Sequence, residues 1–205
     1  NNSFTPLNKF AILIPAYKED EVILEVAEDA TKQNYPHDKY DVIVIADSCS
    51  QRTISSLKSL PITLLEVSFE KSTKSRALNA AMQKIPDDYD IAVVLDADNL
   101  MEKDFLLKMN TAFNKGNKAV QGHRVAKNTN SSFAVLDAIS EEINNHIFRH
   151  GHRVLGMSAA LIGSGMGLHY PFFKRMMQSI DAVGGFDKEI ELKLLRERYL
   201  IEYLP

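Results

Sequence analysis

The sequence predicts an α/β protein with a single doubly wound, mostly parallel sheet flanked by helices. Short apolar runs typical of buried strands alternate with segments of helical spacing over the first hundred residues. Alternation of this kind requires right-handed crossovers between parallel strands. A length of 205 residues, of which 45% are hydrophobic and 25% charged, is sufficient for one globular domain.

The first half of the chain supplies strand and helix pairs in regular order. Residues 10–14 are an apolar run closed by Pro15, and residues 20–33 follow with apolar side chains at helical spacing. The same order then recurs. The further strands predicted here are 40–45, 62–67 and 91–95, and the further helices are 52–60 and 74–84.

The second half of the chain has a less regular pattern. It is predicted to contain helices at 102–113, 131–150 and 186–198, strands at 118–125 and 199–203, and a loop of small residues at 161–167. Because no internal repeat or composition break divides the chain, we expect a single domain over residues 1–205. The chain starts without methionine and stops directly after a strand, which suggests a fragment of a longer, membrane-associated or soluble protein.

Charge and cysteine content exclude several classes of protein. A net charge of -3 and a pI near 6.1 provide no basic field, so we expect no nucleic-acid partner. The single cysteine, Cys49, cannot form an internal disulfide and fits a reducing compartment. No apolar run is long enough to span a membrane. We therefore expect a cytoplasmic protein, with membrane association at the cytoplasmic face left open through segments outside this chain.

An acidic pair ends the strand predicted at residues 91–95. In extended backbone, residues i and i+2 project to the same side, so Asp96 and Asp98 can direct both carboxylates at one point beyond the strand. Such a pair suits Mg²⁺ or Mn²⁺, which take a few protein oxygens and complete their coordination with water and phosphate. The alternative is a strand that runs into an ordinary Asp/Asn turn.

Other polar residues also follow the ends of predicted strands. Tyr17 and Glu19 come after the first strand, and Asp47 follows the second. Ligands of doubly wound sheets bind at the carboxyl ends of the strands. We therefore expect these side chains to meet Asp96 and Asp98 in one crevice.

Four segments in order resemble the motifs of family 2 glycosyltransferases, inverting enzymes with the GT-A fold of nucleotide-diphospho-sugar transferases. They are Ile14-Pro-Ala-Tyr-Lys-Glu19, Ala46-Asp-Ser-Cys-Ser-Gln-Arg-Thr53, Lys74-Ser-Arg-Ala-Leu-Asn79 and Leu95-Asp-Ala-Asp98. The resemblance implies a hexosyl- or N-acetylhexosaminyltransferase. Its donor would be a nucleotide sugar, usually UDP-linked, its cofactor a divalent cation (Mn²⁺ or Mg²⁺), and its acceptor a hydroxyl of a glycan or lipid-linked molecule.

The resemblance also assigns roles within the donor site. Pro15, Ala16 and Tyr17 would form the wall under the nucleobase and ribose, and Glu19 would lie near the ribose. Asp47 would accept a hydrogen bond from the uracil N3–H, since an ionised carboxylate has acceptors only.

Around the diphosphate, the implied donor site consists of Lys74, Asp96, Ala97 and Asp98. Ala97 and Asp98 would contact the donor, with Asp96 and Asp98 holding the metal. Lys74 would lie over the nucleobase or reach the diphosphate; the alternative is a solvated surface lysine.

The second half of the chain is implied to carry the acceptor site. On this basis we expect residues 1–115 to form a nucleotide-binding half and residues 116–205 an acceptor-binding half. Gln121-Gly-His-Arg124 resembles the strand beneath the donor sugar. The small-residue loop of Gly163, Ser164, Gly165 and Met166 would line the acceptor pocket, because small residues let backbone approach a sugar closely.

The general base of the family is the Asp of a Glu-Asp pair at a helix start. Aligned through Gly184-Gly185-Phe186, this pair falls on Lys188-Glu189, so Glu189 is the predicted base. Glu191 and Asp187 are rivals within one turn. A fourth possibility is that all three acids belong to a solvated helix face.

Three other functions compete with this interpretation. A sugar-phosphate nucleotidylyltransferase needs a glycine-rich loop after the first strand, whereas Pro15–Glu19 contains no glycine. A receiver-like module would have its acidic residues elsewhere. A catalytically weak module that only binds the nucleotide remains an alternative because the Lys188-Glu189 pair departs from the family pattern.

Overall fold

The computed structural model describes residues 5–123, 158–180 and 184–204. Within these ranges one seven-stranded sheet is flanked by helices, as the sequence predicts. The strands are β1 Phe10–Tyr17, β2 Tyr40–Asp47, β3 Thr63–Val67, β4 Ile91–Val94, β5 Ala119–Gly122, β6 Met166–His169 and β7 Ile201–Leu204. The helices are α1 Ile23–Ala30, α2 Gln51–Leu57, α3 Lys74–Lys84, α4 Phe105–Asn114, α5 Tyr170–Met177 and α6 Phe186–Arg196.

The strand order is β3-β2-β1-β4-β6-β5-β7, and β6 alone among these seven strands runs antiparallel to its neighbours. Its first residue, Met166, pairs with Val94, the last residue of β4. The amino end of β6 therefore lies at the edge of the sheet where β1, β2 and β4 end. Because of this reversal, the loop before β6 reaches the same edge as the loops after the parallel strands.

Alternate residues of β1 pack into two hydrophobic cores, one on each face of the sheet. Ala11 and Leu13 belong to the core that contains apolar residues of α3, α5 and α6. Phe10, Ile12 and Ile14 belong to the core that contains residues of α1 and α4. Burial on both faces explains why the parallel strands have continuous apolar runs and not an alternating pattern.

Strand β1 is longer than the apolar run predicts, because it continues through Pro15 to Tyr17. Strand β4 pairs with β1 only as far as Leu13, whereas β2 pairs with its whole length. Beyond Leu13 one side of β1 has no ladder, so Pro15 can remain in the strand although it lacks an N–H.

The region predicted as a small-residue loop is partly a strand, because β6 begins at Met166. Helix α5 follows directly and was not predicted. It has Pro171 in its first turn, and it buries Tyr170, Phe172, Phe173, Met176 and Met177. The predicted helix at 131–150 and the last residues of the strand at 118–125 lie outside the described residues. Among the described helices, none combines the length and the hydropathy that a membrane span requires.

Candidate active site

A cleft of about 290 Å³ opens at the carboxyl edge of the sheet. Each of the nine residues predicted to bind the donor lines it, together with three residues that were not predicted. The lining residues are Pro15, Ala16, Tyr17, Glu19, Asp47, Ser72, Thr73, Lys74, Ala77, Asp96, Ala97 and Asp98. Segments that are distant in sequence meet here because three parallel strands end at this edge of the sheet and α3 begins there.

The aromatic wall and Asp47 are held side by side by the pairing of β1 with β2. Tyr17 lies opposite Asp47 in the register, and the N–H of Lys18 donates to the Asp47 carbonyl oxygen at 3.0 Å. Each strand is followed directly by a residue with left-handed backbone, with φ of 55° at Lys18 and 57° at Ser48. Left-handed backbone is costly for residues other than glycine, and such positions occur preferentially at functional sites.

The Asp47 side chain is an acceptor set into the floor of the cleft. The residue is only 2% exposed, and the Ser48 hydroxyl donates to its Oδ1 at 2.9 Å. Within the described part of the chain, this is the one side-chain donor to the carboxylate. Buried carboxylates require several hydrogen bonds, so Asp47 has capacity for an N–H from a ligand.

The sole cysteine lies behind the same two strands. The Sγ of Cys49 is 3.6 Å from the carbonyl oxygen of Ala16, and burial raises the pKa of the thiol. A raised pKa reduces the thiolate fraction at neutral pH. Cys49 is therefore unsuited to nucleophilic catalysis, although its thiol contacts the backbone of Ala16 in the wall of the cleft.

Asp96 and Asp98 are brought into the cleft by a turn and not by extended backbone. Strand β4 ends at Val94, and the N–H of Asn99 donates to the Asp96 carbonyl oxygen at 3.1 Å, which closes the turn. The reasoning that placed both carboxylates on one side of a strand is therefore wrong. Both residues nevertheless line the cleft, where Asp98 is exposed and the Asp96 side chain is 34% exposed.

A buried serine holds this acidic turn in place. The Oγ of Ser164 accepts hydrogen bonds from the backbone N–H of Asp96 at 2.9 Å and from the Asn99 Nδ2 at 2.8 Å. The N–H of Gly165 donates to the Val94 carbonyl oxygen at 2.9 Å. The loop that was predicted to contact the acceptor therefore also positions the acidic turn, a role that sequence reasoning missed.

The loop is in turn fixed by β5. Gln121 is fully buried; its Nε2 donates to the Ser164 carbonyl oxygen at 2.9 Å, and its Oε1 accepts from the Ile162 N–H at 3.1 Å. A Cβ at Gly122 would lie 2.9 Å from the Gly165 carbonyl oxygen, so the close approach requires glycine. These contacts make the loop a rigid support for the acidic turn.

Lys74 connects the acidic turn with the same loop. It is the first residue of α3, and the helix is capped by the preceding Thr73, whose Oγ1 accepts from the Arg76 N–H at 3.2 Å. The Nζ of Lys74 forms an ion pair with Asp96 and donates to the Gly163 carbonyl oxygen at 2.6 Å. Lys74 is thus a partly buried member of the site and not a solvated surface lysine.

The three candidate acids of α6 have different surroundings. Glu191 accepts from the Leu161 N–H at 2.9 Å and from the Lys188 Nζ at 3.0 Å, so it is tied to the loop backbone. A Cβ on Gly163 would lie 3.8 Å from the carboxyl carbon of Asp187, which places Asp187 beside the residue that binds Lys74. Asp187 is therefore the acid that borders the Lys74 and Asp96 cluster.

Glu189 lies on the other flank of α6. It is separated from Asp187 by two positions, about 200° around a helix. Lys193, one turn further along the same flank as Glu189, donates to the Ser179 hydroxyl just after α5. The described contacts therefore bring Asp187, and not Glu189, to the loop that borders the cleft.

The two carboxylates of the acidic turn can supply only part of a metal site. In residues 5–123, 158–180 and 184–204, no group of three or more His, Cys, Asp or Glu side chains could enclose a metal ion. Asp96 and Asp98 offer the hard oxygen ligands that Mg²⁺ and Mn²⁺ prefer. The residues present therefore fit a cation that takes its other ligands from water and a diphosphate.

Comparisons with known proteins support the same interpretation. The sequence model of Glycosyltransferase like family 2 matches residues 6–205. Among curated relatives, the beta-monoglucosyldiacylglycerol synthase of Trichormus variabilis is 28% identical over 186 residues. The match covers 87% of this chain and 38% of the relative, so the chain spans well under half of that protein's length.

Solved structures of two glycosyltransferases share the fold. The mannosyltransferase PcManGT of Pyrobaculum calidifontis, in complex with GDP-Man and Mn²⁺, superposes with a TM-score of 0.70 at 19% identity, over 98% of this chain and 56% of the other. The glucosyl-3-phosphoglycerate synthase of Mycobacterium tuberculosis, in complex with UDP, gives 0.62 at 14% identity, over 96% and 69%. At such identities the likeness shows the fold alone.

Proposed function

Since the chain belongs to Glycosyltransferase like family 2, we propose that it transfers a sugar from a UDP-linked donor to a hydroxyl acceptor, with inversion and with the help of a divalent cation. One observation carries this proposal: a single cleft contains all nine residues that four separate motifs assign to the donor. A cleft with an aromatic wall at one end and two carboxylates at the other suits a nucleoside diphosphate. The base lies against the wall and the phosphates lie near the acids.

The nucleobase is recognised through Asp47. Ser48 occupies one carboxylate oxygen, which leaves the second for a ligand N–H. Uracil presents one N–H between two carbonyl groups, whereas guanine presents two adjacent donors and would use both carboxylate oxygens. The second Asp47 oxygen suits the single N–H of uracil, and the exposed ring of Tyr17 provides the stacking surface.

Asp96 and Asp98 would hold the cation, and Lys74 provides a further positive charge for the diphosphate. A divalent cation held there would supply stabilisation of the negative charge on the leaving diphosphate. Ser164 and Gln121 keep the carboxylates in position, so little reorganisation is needed during the reaction.

We assign the general base to Asp187 on the geometry of α6. Its carboxylate accepts the proton of the acceptor hydroxyl as that oxygen attacks the anomeric carbon, while the bond from carbon to the diphosphate oxygen breaks and UDP leaves with the electron pair. Glu191 is already bonded to the Leu161 N–H. The family register favours Glu189, which stays the alternative base.

The acceptor is proposed to be a hydroxyl of a lipid or a glycan, bound by residues 116–205 while residues 1–115 bind the nucleotide. The name of the Trichormus variabilis relative specifies a β-linked glucosyl product on diacylglycerol. An α-linked nucleotide sugar gives a β-linked product by inversion. Of the predicted acceptor loop, Gly165 is partly exposed and remains available to line the acceptor pocket, whereas Met166 is fully buried in the core that contains α3, α5 and α6 and cannot contact a ligand. A lipid acceptor would place the reaction at the cytoplasmic face of a membrane.

The proposal is tested by measuring UDP release and sugar transfer in Mn²⁺, with Asp187→Asn and Glu189→Gln as a matched pair. Loss of a general base lowers turnover about 10²–10⁴-fold while donor binding stays intact. We expect this result for Asp187→Asn and near-normal turnover for Glu189→Gln.

Two other outcomes lead to different conclusions. If Glu189→Gln loses turnover and Asp187→Asn keeps it, the general base is Glu189. If the unaltered chain binds UDP normally but turns over no UDP-sugar, the chain is a module that only binds the nucleotide. A nucleotidylyltransferase would release diphosphate from UTP and a sugar phosphate, which we do not expect because the segment after β1 has no glycine-rich phosphate loop.

A further inference from the structure

In the cleft the ammonium group of Lys74 has the surroundings of a bound cation. Its Nζ is paired with the Asp96 carboxylate, donates to the Gly163 carbonyl oxygen at 2.6 Å, and lies 5.3 Å from the centre of the Phe186 ring. A carboxylate, a carbonyl and an aromatic face are all groups that stabilise positive charge. With the Lys74 side chain 26% exposed, solvent screens this cluster only in part.

A divalent cation on Asp96 would compete with this arrangement. The cation and the ammonium would share one carboxylate, and two positive charges at such close range repel strongly where water is partly excluded. The lysine side chain is a flexible four-carbon stem that ends in a single charge, so its ammonium group can leave Asp96 without movement of the α3 backbone. Its position at the first turn of α3 lets it remain in the cleft after it leaves.

We propose that Lys74 is a placeholder cation, which neutralises Asp96 in the free protein and is displaced by the divalent ion. After displacement its ammonium binds the diphosphate of the donor, beside the N-terminus of α3. Displacement also breaks its bond to Gly163 and frees the loop carbonyl next to Asp187. Lys74 therefore opposes binding of the metal alone and favours binding of the metal together with UDP. This inference rests on the proposed metal site at Asp96.

A permanent structural ion pair would behave differently from a placeholder. If Lys74 only held the turn and the loop together, removal of its charge would loosen the site and weaken every ligand. A placeholder predicts effects of opposite sign for the two ligands. Binding of Mn²⁺ alone should improve, because Asp96 no longer has a competitor, and binding of UDP in saturating Mn²⁺ should weaken.

The experiment compares the unaltered chain with Lys74→Met and Lys84→Met. Lys84 is exposed in the last turn of the same helix, about 15 Å along its axis from Lys74, and it carries the same charge. Binding of Mn²⁺ alone is measured by electron paramagnetic resonance of the free ion. Binding of UDP in saturating Mn²⁺ is measured by calorimetry.

For Lys74→Met we expect Mn²⁺ alone to bind about fivefold more tightly, as expected from loss of a partly exposed competing ion pair. UDP in saturating Mn²⁺ should bind on the order of tenfold more weakly, from loss of a charged hydrogen bond. Lys84→Met should change neither affinity. Weaker or unchanged binding of Mn²⁺ alone to Lys74→Met overturns the placeholder role.

Asp96→Asn separates failure of this inference from failure of the metal site itself. If Asp96→Asn abolishes the Mn²⁺ dependence of UDP binding while Lys74→Met leaves binding of Mn²⁺ alone unchanged, the metal site stands and the placeholder role is wrong. If the unaltered chain binds UDP equally well with and without Mn²⁺, both are overturned.

Discussion

Replacement of Ser164 by alanine is expected to destabilise the protein and to weaken the metal-dependent donor site together. The change removes the Oγ that accepts from the Asp96 N–H and the Asn99 Nδ2. Ser164 is only 1% exposed, so water has little access to replace the lost acceptor for the Asp96 N–H. Asn99 is partly exposed and can bond to water. One buried donor left unsatisfied costs about 1–3 kcal/mol.

A loss of about 2 kcal/mol lowers the Tm of a chain of this size by about 4–8 °C. Calorimetric titration should also show UDP binding in Mn²⁺ weakened by about tenfold, because the turn no longer holds Asp96 in position. Ser59→Ala is the control, since its exposed hydroxyl donates only to the Ser56 carbonyl oxygen at the end of α2. If Ser164→Ala keeps its Tm and its UDP affinity and raises only the acceptor KM, Ser164 contacts the acceptor and does not position the turn.

Three further predictions concern the nucleobase contact, the single thiol and a partly buried histidine. Asp47→Asn should weaken UDP binding by about 1–3 kcal/mol in calorimetry, and equal affinity of the unaltered protein for UDP and GDP would contradict selection by Asp47. Burial raises the pKa of the Cys49 thiol, so iodoacetamide should alkylate it more slowly than glutathione at pH 8; equal rates would refute the burial. Burial, with Lys118 nearby, lowers the pKa of His169, so the folded state holds its proton less tightly than the unfolded state. The Tm should then fall as pH decreases below about 6.5, and it should fall less in His169→Gln. The same dependence of Tm on pH in both proteins would contradict this prediction.

The donor half of the site could be predicted from sequence because its residues are close to strand ends. Tyr17 and Asp47 end β1 and β2, and Asp96 follows β4 by two residues. Once the strands are recognised as parallel, their carboxyl ends must lie at one edge. The positions of the side chains then follow from the topology, even though the local backbone at Asp96 was predicted incorrectly.

The supporting contacts could not be predicted because they depend on the reversal of β6. Ser164 is 68 residues from Asp96 in sequence, and Gly163 is 89 residues from Lys74. No local pattern specifies that the loop before β6 meets the acidic turn; this requires the antiparallel pairing of Val94 with Met166. A small-residue loop read from sequence suggests close approach to a ligand, whereas here the close approach is partly to the protein's own backbone.

The choice of a general base among the three acidic residues of α6 also depends on how this helix packs against the core. Sequence register selects one of three acids within a single turn, but the chemistry depends on the flank of the helix that faces the cleft. That flank is fixed by Phe186, Ile190 and Leu194, which are buried against the core. Helical periodicity predicts which residues are buried, and it does not predict which of the two flanks borders another loop.

The most direct test of the central claim is the Mn²⁺ dependence of UDP binding in Asp98→Ala. Among the described residues no hydrogen bond or ion pair reaches the Asp98 side chain, which is exposed in the cleft, so its removal leaves the fold intact. Asp38→Ala, which removes an exposed acid from the turn before β2, is the matched control. We predict that Mn²⁺ strengthens UDP binding to the unaltered chain and to Asp38→Ala by at least about tenfold, the effect of one charge-assisted contact, and that Asp98→Ala loses this gain. Undiminished Mn²⁺-dependent affinity in Asp98→Ala would contradict the metal site and the proposed role of the acidic turn.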